Sequence, residues 1–193
     1  MSSGDAVEAL LDAVKRGEGL QKINVKLFLE APSGADYDFL LPIFGRWRLE
    51  EGEEIIDLAD YLHVPDGPGC LLVSHRWHFG IDFTGGRPGI FLSTRKGLEG
   101  DAESRFAHAL RACAEKGQRL LAEEEVPPGV RLRPGELEVV VNDRVLFPNC
   151  DESEETLRPG LVAALDGTYG KGACTLERER DPRRRLGWLI SPV

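Results

Sequence analysis

Ile23 to Glu30, INVKLFLE, alternates and runs into a Pro-Ser-Gly turn, the pattern of a half-buried strand. Tyr37 to Leu49 switches to helical spacing, with Leu40, Leu41, Phe44 and Trp47 on one side. Pro42 is tolerated there only near the first turn. EEIIDLADY fits a strand or a helical turn equally. VPDGPG, Val64 to Gly69, extends neither and must turn. CLLVSHRWHFGIDF is too long for one simple strand and is expected to bend near Gly80, and IFLST returns after TGGRPG as its hairpin partner.

Asp101 opens the clearest helix, over 101–124. Phe106, Leu110, Cys113, Gly117 and Leu120 recur at steps of three and four, while Glu103, Arg111, Glu115 and Arg119 face out. GELEVVVND, Gly135 to Asp143, is a strand, and Asp151 caps a helix that must accommodate Pro159. ACTLERERDPRRRLGWLIS is a hairpin turned at Asp181-Pro182. The pattern predicts an α+β fold, with a mixed, largely antiparallel sheet of about six strands and helices packed on it. Its order also suggests two β-α-β-β units, Ile23 to Thr94 and Leu137 to Ser191, joined by the long helix and closed by the similar strands GIFLS and GWLIS.

Ahead of this, Asp5 can cap a short amphipathic helix with Val7, Leu10, Leu11 and Val14 on one face, and RGEGLQ ends it in a hinge. Residues 1–19 are therefore expected to form a helical arm and residues 20–193 a single domain. A chain of 193 residues buries roughly 70% of its extended surface, so its core needs no staple.

Composition narrows the partners more than the fold. The net charge of −9 disfavours nucleic acid and anionic membranes, although a local basic patch remains compatible with it. The N-terminus lacks the basic and long apolar regions of a signal peptide, and no window approaches a membrane span. Cys70, Cys113, Cys150 and Cys174 form no C-x-x-C pair, which fits reduced thiols in a cytoplasmic protein.

The chemistry concentrates between Asp60 and Phe83. Strict alternation places His75 with Trp77, Phe79 and Ile81 on the apolar face, and His78 with Gly80 and Asp82 on the other. His75 is then a buried neutral imidazole, and the two histidines cannot share an ion, so neither metal nor cofactor is expected. HVPDGPG reads first as a structural turn with Asp66 bonded to its own backbone. It can also present His63 and Asp66 as an acid–base pair. Cys70 opens an apolar strand, where a thiol is ordinarily inert filling. GTYGKGA and TGGRPG lack the spacing and context of phosphate or dinucleotide loops.

Two function classes follow. The first is a non-catalytic binding or accessory module for a protein partner, engaged through Arg183, Arg184 and Arg185 of the last hairpin with Asn142 and Arg144. The second is a small enzyme or ligand sensor using His63, Asp66, His75 and Asp82. Convergence of those four with Asn142 and Arg144 in one concave pocket would favour the second, and their scatter the first. LLPIFGRW, IIDLADYLHVPDGPG and NDRVLFPN together resemble a family of small bacterial proteins of no established activity. That resemblance implies a bacterial, cytosolic protein and transfers no site residue.

Overall fold

The computed structural model describes residues 12, 17, 19–32, 34–64 and 66–193. Its strands are β1 (Ile23–Glu30), β2 (Ile55–Asp60), β3 (Pro68–Ser74), β4 (Trp77–Asp82), β5 (Gly89–Thr94), β6 (Arg131–Val141), β7 (Cys174–Arg178) and β8 (Gly187–Pro192). Its helices are α1 (Leu40–Glu51), α2 (Ala102–Leu121) and α3 (Asp151–Tyr169). The strands form one eight-stranded sheet in the order β2-β3-β4-β5-β1-β6-β8-β7, and every pairing is antiparallel. The class is α+β. The strand count exceeds the expected six because EEIIDLADY resolves as a strand and because CLLVSHRWHFGIDF is two strands.

That division falls at His75–Arg76 and not at Gly80. Ser74 Oγ accepts from the backbone N–H of Arg76 at 3.1 Å and of Trp77 at 3.2 Å, closing a tight turn. β6 begins earlier than GELEVVVND, at Arg131. Cys150, not Asp151, is the residue that caps α3, and Asp151 is the first residue of that helix. Most of the expected N-terminal arm lies outside the described residues. Gly17 is buried, and a Cβ there would come within 2.9 Å of the Ala102 Cβ.

The three helices among the described residues pack on one face of the sheet. Phe44 and Trp47 of α1 lie 5.9 and 6.0 Å from the ring of Phe79 on β4. α2 runs under β1 and β5, with Gly117 close enough that a Cβ would meet Ile90 at 3.1 Å. Asp101 caps α2 by accepting from Ser104 N–H at 3.0 Å, and that bond lowers the pKa of its carboxyl. Phe106 of α2 meets Trp188 of β8 edge-on at 6.3 Å, below α3. The core is thus a single layer of Val25, Leu72, Phe79, Ile90, Leu92, Val139, Trp188 and Ile190 against the apolar stripes of the helices.

The two halves meet where β1 pairs with β6, and the strand pairings on either side of that seam are alike. In the first half Ile90 stands opposite Leu27 and Leu92 opposite Val25. In the second, Trp188 stands opposite Val139 and Ile190 opposite Leu137. A Cβ on Gly89 would lie 3.0 Å from Leu27 O, and one on Gly187 3.1 Å from Val139 O. The first half is nonetheless larger than the expected unit, with four strands after its helix against two in the second.

Candidate functional site

Among the described residues the opposite face of the sheet carries no helix, and its composition differs. One row crosses all eight strands on this side: Ala59, Leu71, Gly80, Phe91, Lys26, Glu138, Leu189 and Glu177. The row beside it holds Val73, His78, Ser93, Asn24, Val140 and Gly187. Alternation along β1 therefore sends Val25 and Leu27 to the helices and Asn24 and Lys26 to the open side.

Lys26 is only 4% exposed. Its ammonium donates to Asp82 Oδ2 at 2.6 Å and to the Thr84 carbonyl at 3.0 Å. Asp82 lies two strands away on β4, so the Lys26 stem must cross β5. It does so over Gly89, where a Cβ would fall 2.6 Å from Lys26 Cγ. Asp82 also accepts from Thr84 Oγ1 at 2.8 Å and Thr84 N–H at 3.2 Å. This carboxylate is saturated and pins the β4–β5 turn.

Glu138, directly opposite Lys26 on β6, is the reverse case. Among the described residues it makes no hydrogen bond or ion pair. Burial raises the pKa of its carboxyl. Lys26 offsets part of that rise and Asp82 adds to it. The Asn24 side-chain oxygen is sealed from solvent and has no donor.

These groups line two adjoining clefts on the open side. The inner one, of about 310 Å³, is bounded by Asn24, Lys26, Asp82, Phe91, Glu138 and Arg185. The outer one, of about 750 Å³, shares Thr84, Glu138, Val140 and Arg185 and extends to Arg144 and Arg180 under the tip of the last hairpin. Arg144, Arg180 and Arg185 are exposed and make no ion pair among the described residues. Arg178, by contrast, is held on the helix side by Asp151 and Glu154 at 2.7 and 2.8 Å.

The residues expected from sequence separate. His75 is not buried: it is exposed in the β3–β4 turn, because the Ser74 turn ends the alternation that would have carried it inward. His63 is exposed in the loop at the other end of β3. Asp66 has φ 56° and bonds across to the Gly85 N–H of the β4–β5 turn, not to its own backbone as an Asx-turn would. Asp82 alone of the four enters the inner cleft. Asn142 spends its backbone N–H on Lys22 O at 2.7 Å and lies outside both clefts. Arg183 folds back on Asp181 at 3.1 Å, and Arg184 reaches Glu179 at 3.3 Å while lining the outer cleft. Arg144 lines the outer cleft and Arg185 lines both. His78 is on the open side as expected, 3.4 Å from Arg95, and burial and then Arg95 lower its pKa.

Cys70 is buried, and burial, reinforced by Asp60, pushes its thiol up to about 12. It packs in the core. Among the described residues no three His, Cys, Asp or Glu side chains group as metal ligands, and no helix is long and apolar enough to cross a membrane. Asn24, Lys26 and Glu138 were not singled out by the pattern. The one available signal was polar residues inside apolar strands, INVKL and ELEVVV. Comparison with protein-family models and with curated proteins finds no match for this sequence.

Proposed function

We propose that this chain is a non-catalytic binding module that takes an acidic segment of a protein partner on the uncovered face of its sheet. The supporting observation is the set of three arginines without ion pairs, Arg144, Arg180 and Arg185, gathered on one cleft of a chain with net charge −9. A guanidinium offers five donors in a fixed fork suited to carboxylates, so such a cleft attracts an acidic segment locally although the chain as a whole is acidic. The saturation of Asp82, the burial of Cys70 and the separation of His63 from His75 all speak against a catalytic constellation here. A bacterial, cytoplasmic setting suits the four free thiols.

The test is binding of an aspartate- and glutamate-rich peptide, measured by fluorescence anisotropy across a salt series, for the wild-type chain and a variant with Arg144, Arg180 and Arg185 changed to Glu. The expected result is wild-type affinity that falls as salt rises, and loss of binding in the variant with its melting temperature preserved. Equal affinity of the two proteins at every salt concentration would defeat the reading.

A further inference from the structure

The inner cleft holds features that an acidic segment does not use. Asn24 presents a carbonyl oxygen sealed from solvent with no donor facing it, and such an acceptor ordinarily has a partner. Glu138 sits on the same open face of the β1–β6 pair: it stands opposite Lys26, while Asn24 stands opposite Val140, so the two are diagonal neighbours across the seam. It too lacks a hydrogen-bond or ion-pair partner among the described residues. Both groups accept, and both want N–H donors. Lys26 cannot serve them, because its ammonium is turned away to Asp82 and the Thr84 carbonyl.

The mouth has the opposite character. Arg185 lines both clefts and has no ion pair among the described residues, so it presents donors to whatever lies between it and Glu138. Leu71, Phe91, Val140 and Pro68 supply apolar walls. The volume, about 310 Å³, is at the small end of the range for ligand pockets, about 300–1,000 Å³. A cation next to Glu138 would also favour its carboxylate form and offset the burial that disfavours it.

We infer that the inner cleft is a binding site for a small molecule carrying a primary ammonium and a carboxylate on an apolar body, that is, a free α-amino acid. The ammonium donates to Glu138 and to Asn24, whose sealed oxygen turns into the cleft on binding, the carboxylate accepts from Arg185, and the side chain lies on Phe91 and Leu71. The site shares only Arg185 with the arginine set that attracts an acidic segment. Asp82 and Gly89 contribute indirectly. Asp82 draws the Lys26 ammonium aside, and Gly89 leaves the path it takes.

The experiment is a calorimetric and thermal-shift screen of the wild-type chain against the proteinogenic amino acids, followed by the N-acetyl and carboxamide derivatives of any that bind. A free amino acid with an apolar side chain is expected to bind and raise the melting temperature. Acetylation of its amine should weaken it by roughly tenfold or more, as loss of a buried charged donor does. Asn24→Leu should abolish binding without lowering the melting temperature of the free protein, since it removes an unsatisfied buried group. Glu138→Gln should weaken the free amino acid, and Arg185→Ala should remove the preference for carboxylate over carboxamide. These two variants keep the test decisive if Asn24→Leu misfolds. Failure of every free amino acid to bind at millimolar concentration overturns the inference, as does binding indifferent to acetylation and to Glu138→Gln. The same preparation is titrated with the acidic peptide. Peptide binding without amino-acid binding removes this site and leaves the module reading, and the converse removes the module reading and leaves this site.

Discussion

The two faces of this sheet are built from the same strands and solve opposite problems. On the covered face Val25, Leu92 and Phe79 pack against apolar side chains of the helices, where shape is the main requirement, and Trp188 adds one hydrogen bond from its indole N–H to Glu154 at 3.4 Å. On the open face Lys26, Asp82 and Ser93 are also buried, at 4%, 9% and 8% exposure, yet each must find a polar partner or remain costly. Lys26 and Asp82 find each other. Glu138 and Asn24 find none, and that difference between neighbours in one row and the next separates framework from candidate site.

The largest effect should come from the covered face. Phe79→Ala removes the ring packed between Phe44 and Trp47 and should cost about 3–5 kcal/mol in chemical denaturation. A loss under about 1 kcal/mol would mean that the α1 side of the core is not packed as described.

Next is the ion pair of the open face. Lys26→Met leaves Asp82 without its cation and should cost about 3 kcal/mol. Adding Asp82→Asn should recover a good part of that loss, because the uncompensated charge is then gone. A double-mutant cycle with no coupling would sever the link between β1 and the β4–β5 turn.

The smallest effect belongs to Glu138. Its folded-state pKa is raised, so it contributes stability that is fully present below the pKa of an unfolded glutamate and lost as pH rises through the folded value. Glu138→Gln should remove that part of the slope, leaving a variant at least as stable as wild type at neutral pH and relatively less favoured in acid. Parallel stability–pH curves for the two proteins would show instead that the Glu138 carboxyl is not perturbed.

Much of the framework was legible in local pattern. INVKLFLE is a strand with the expected bounds, Asp101 caps the long helix, Phe106 to Leu120 face inward, and the last hairpin turns around Asp181-Pro182. Period and capping are local properties, written into neighbouring residues. His75 shows where this ends. A single serine hydroxyl two residues from Arg76 converted an apparently continuous strand into a turn and moved the imidazole from the core to the surface.

The candidate site was legible only in fragments. Asp82, Arg144 and Arg185 were visible as charged residues near turns, but Asn24 and Glu138 read as interruptions of apolar strands. By itself the sequence determined most of the strands and helices, though neither EEIIDLADY nor the break at His75–Arg76, and it determined that the chain is acidic with a basic final hairpin. Only the tertiary structure decided that β1 and β6 lie side by side, that Lys26 reaches past Gly89 to Asp82, and that Asn24 and Glu138 are left facing one cleft with Arg185. Those contacts join residues 47 to 161 positions apart, and no local pattern encodes which distant strand will become a neighbour.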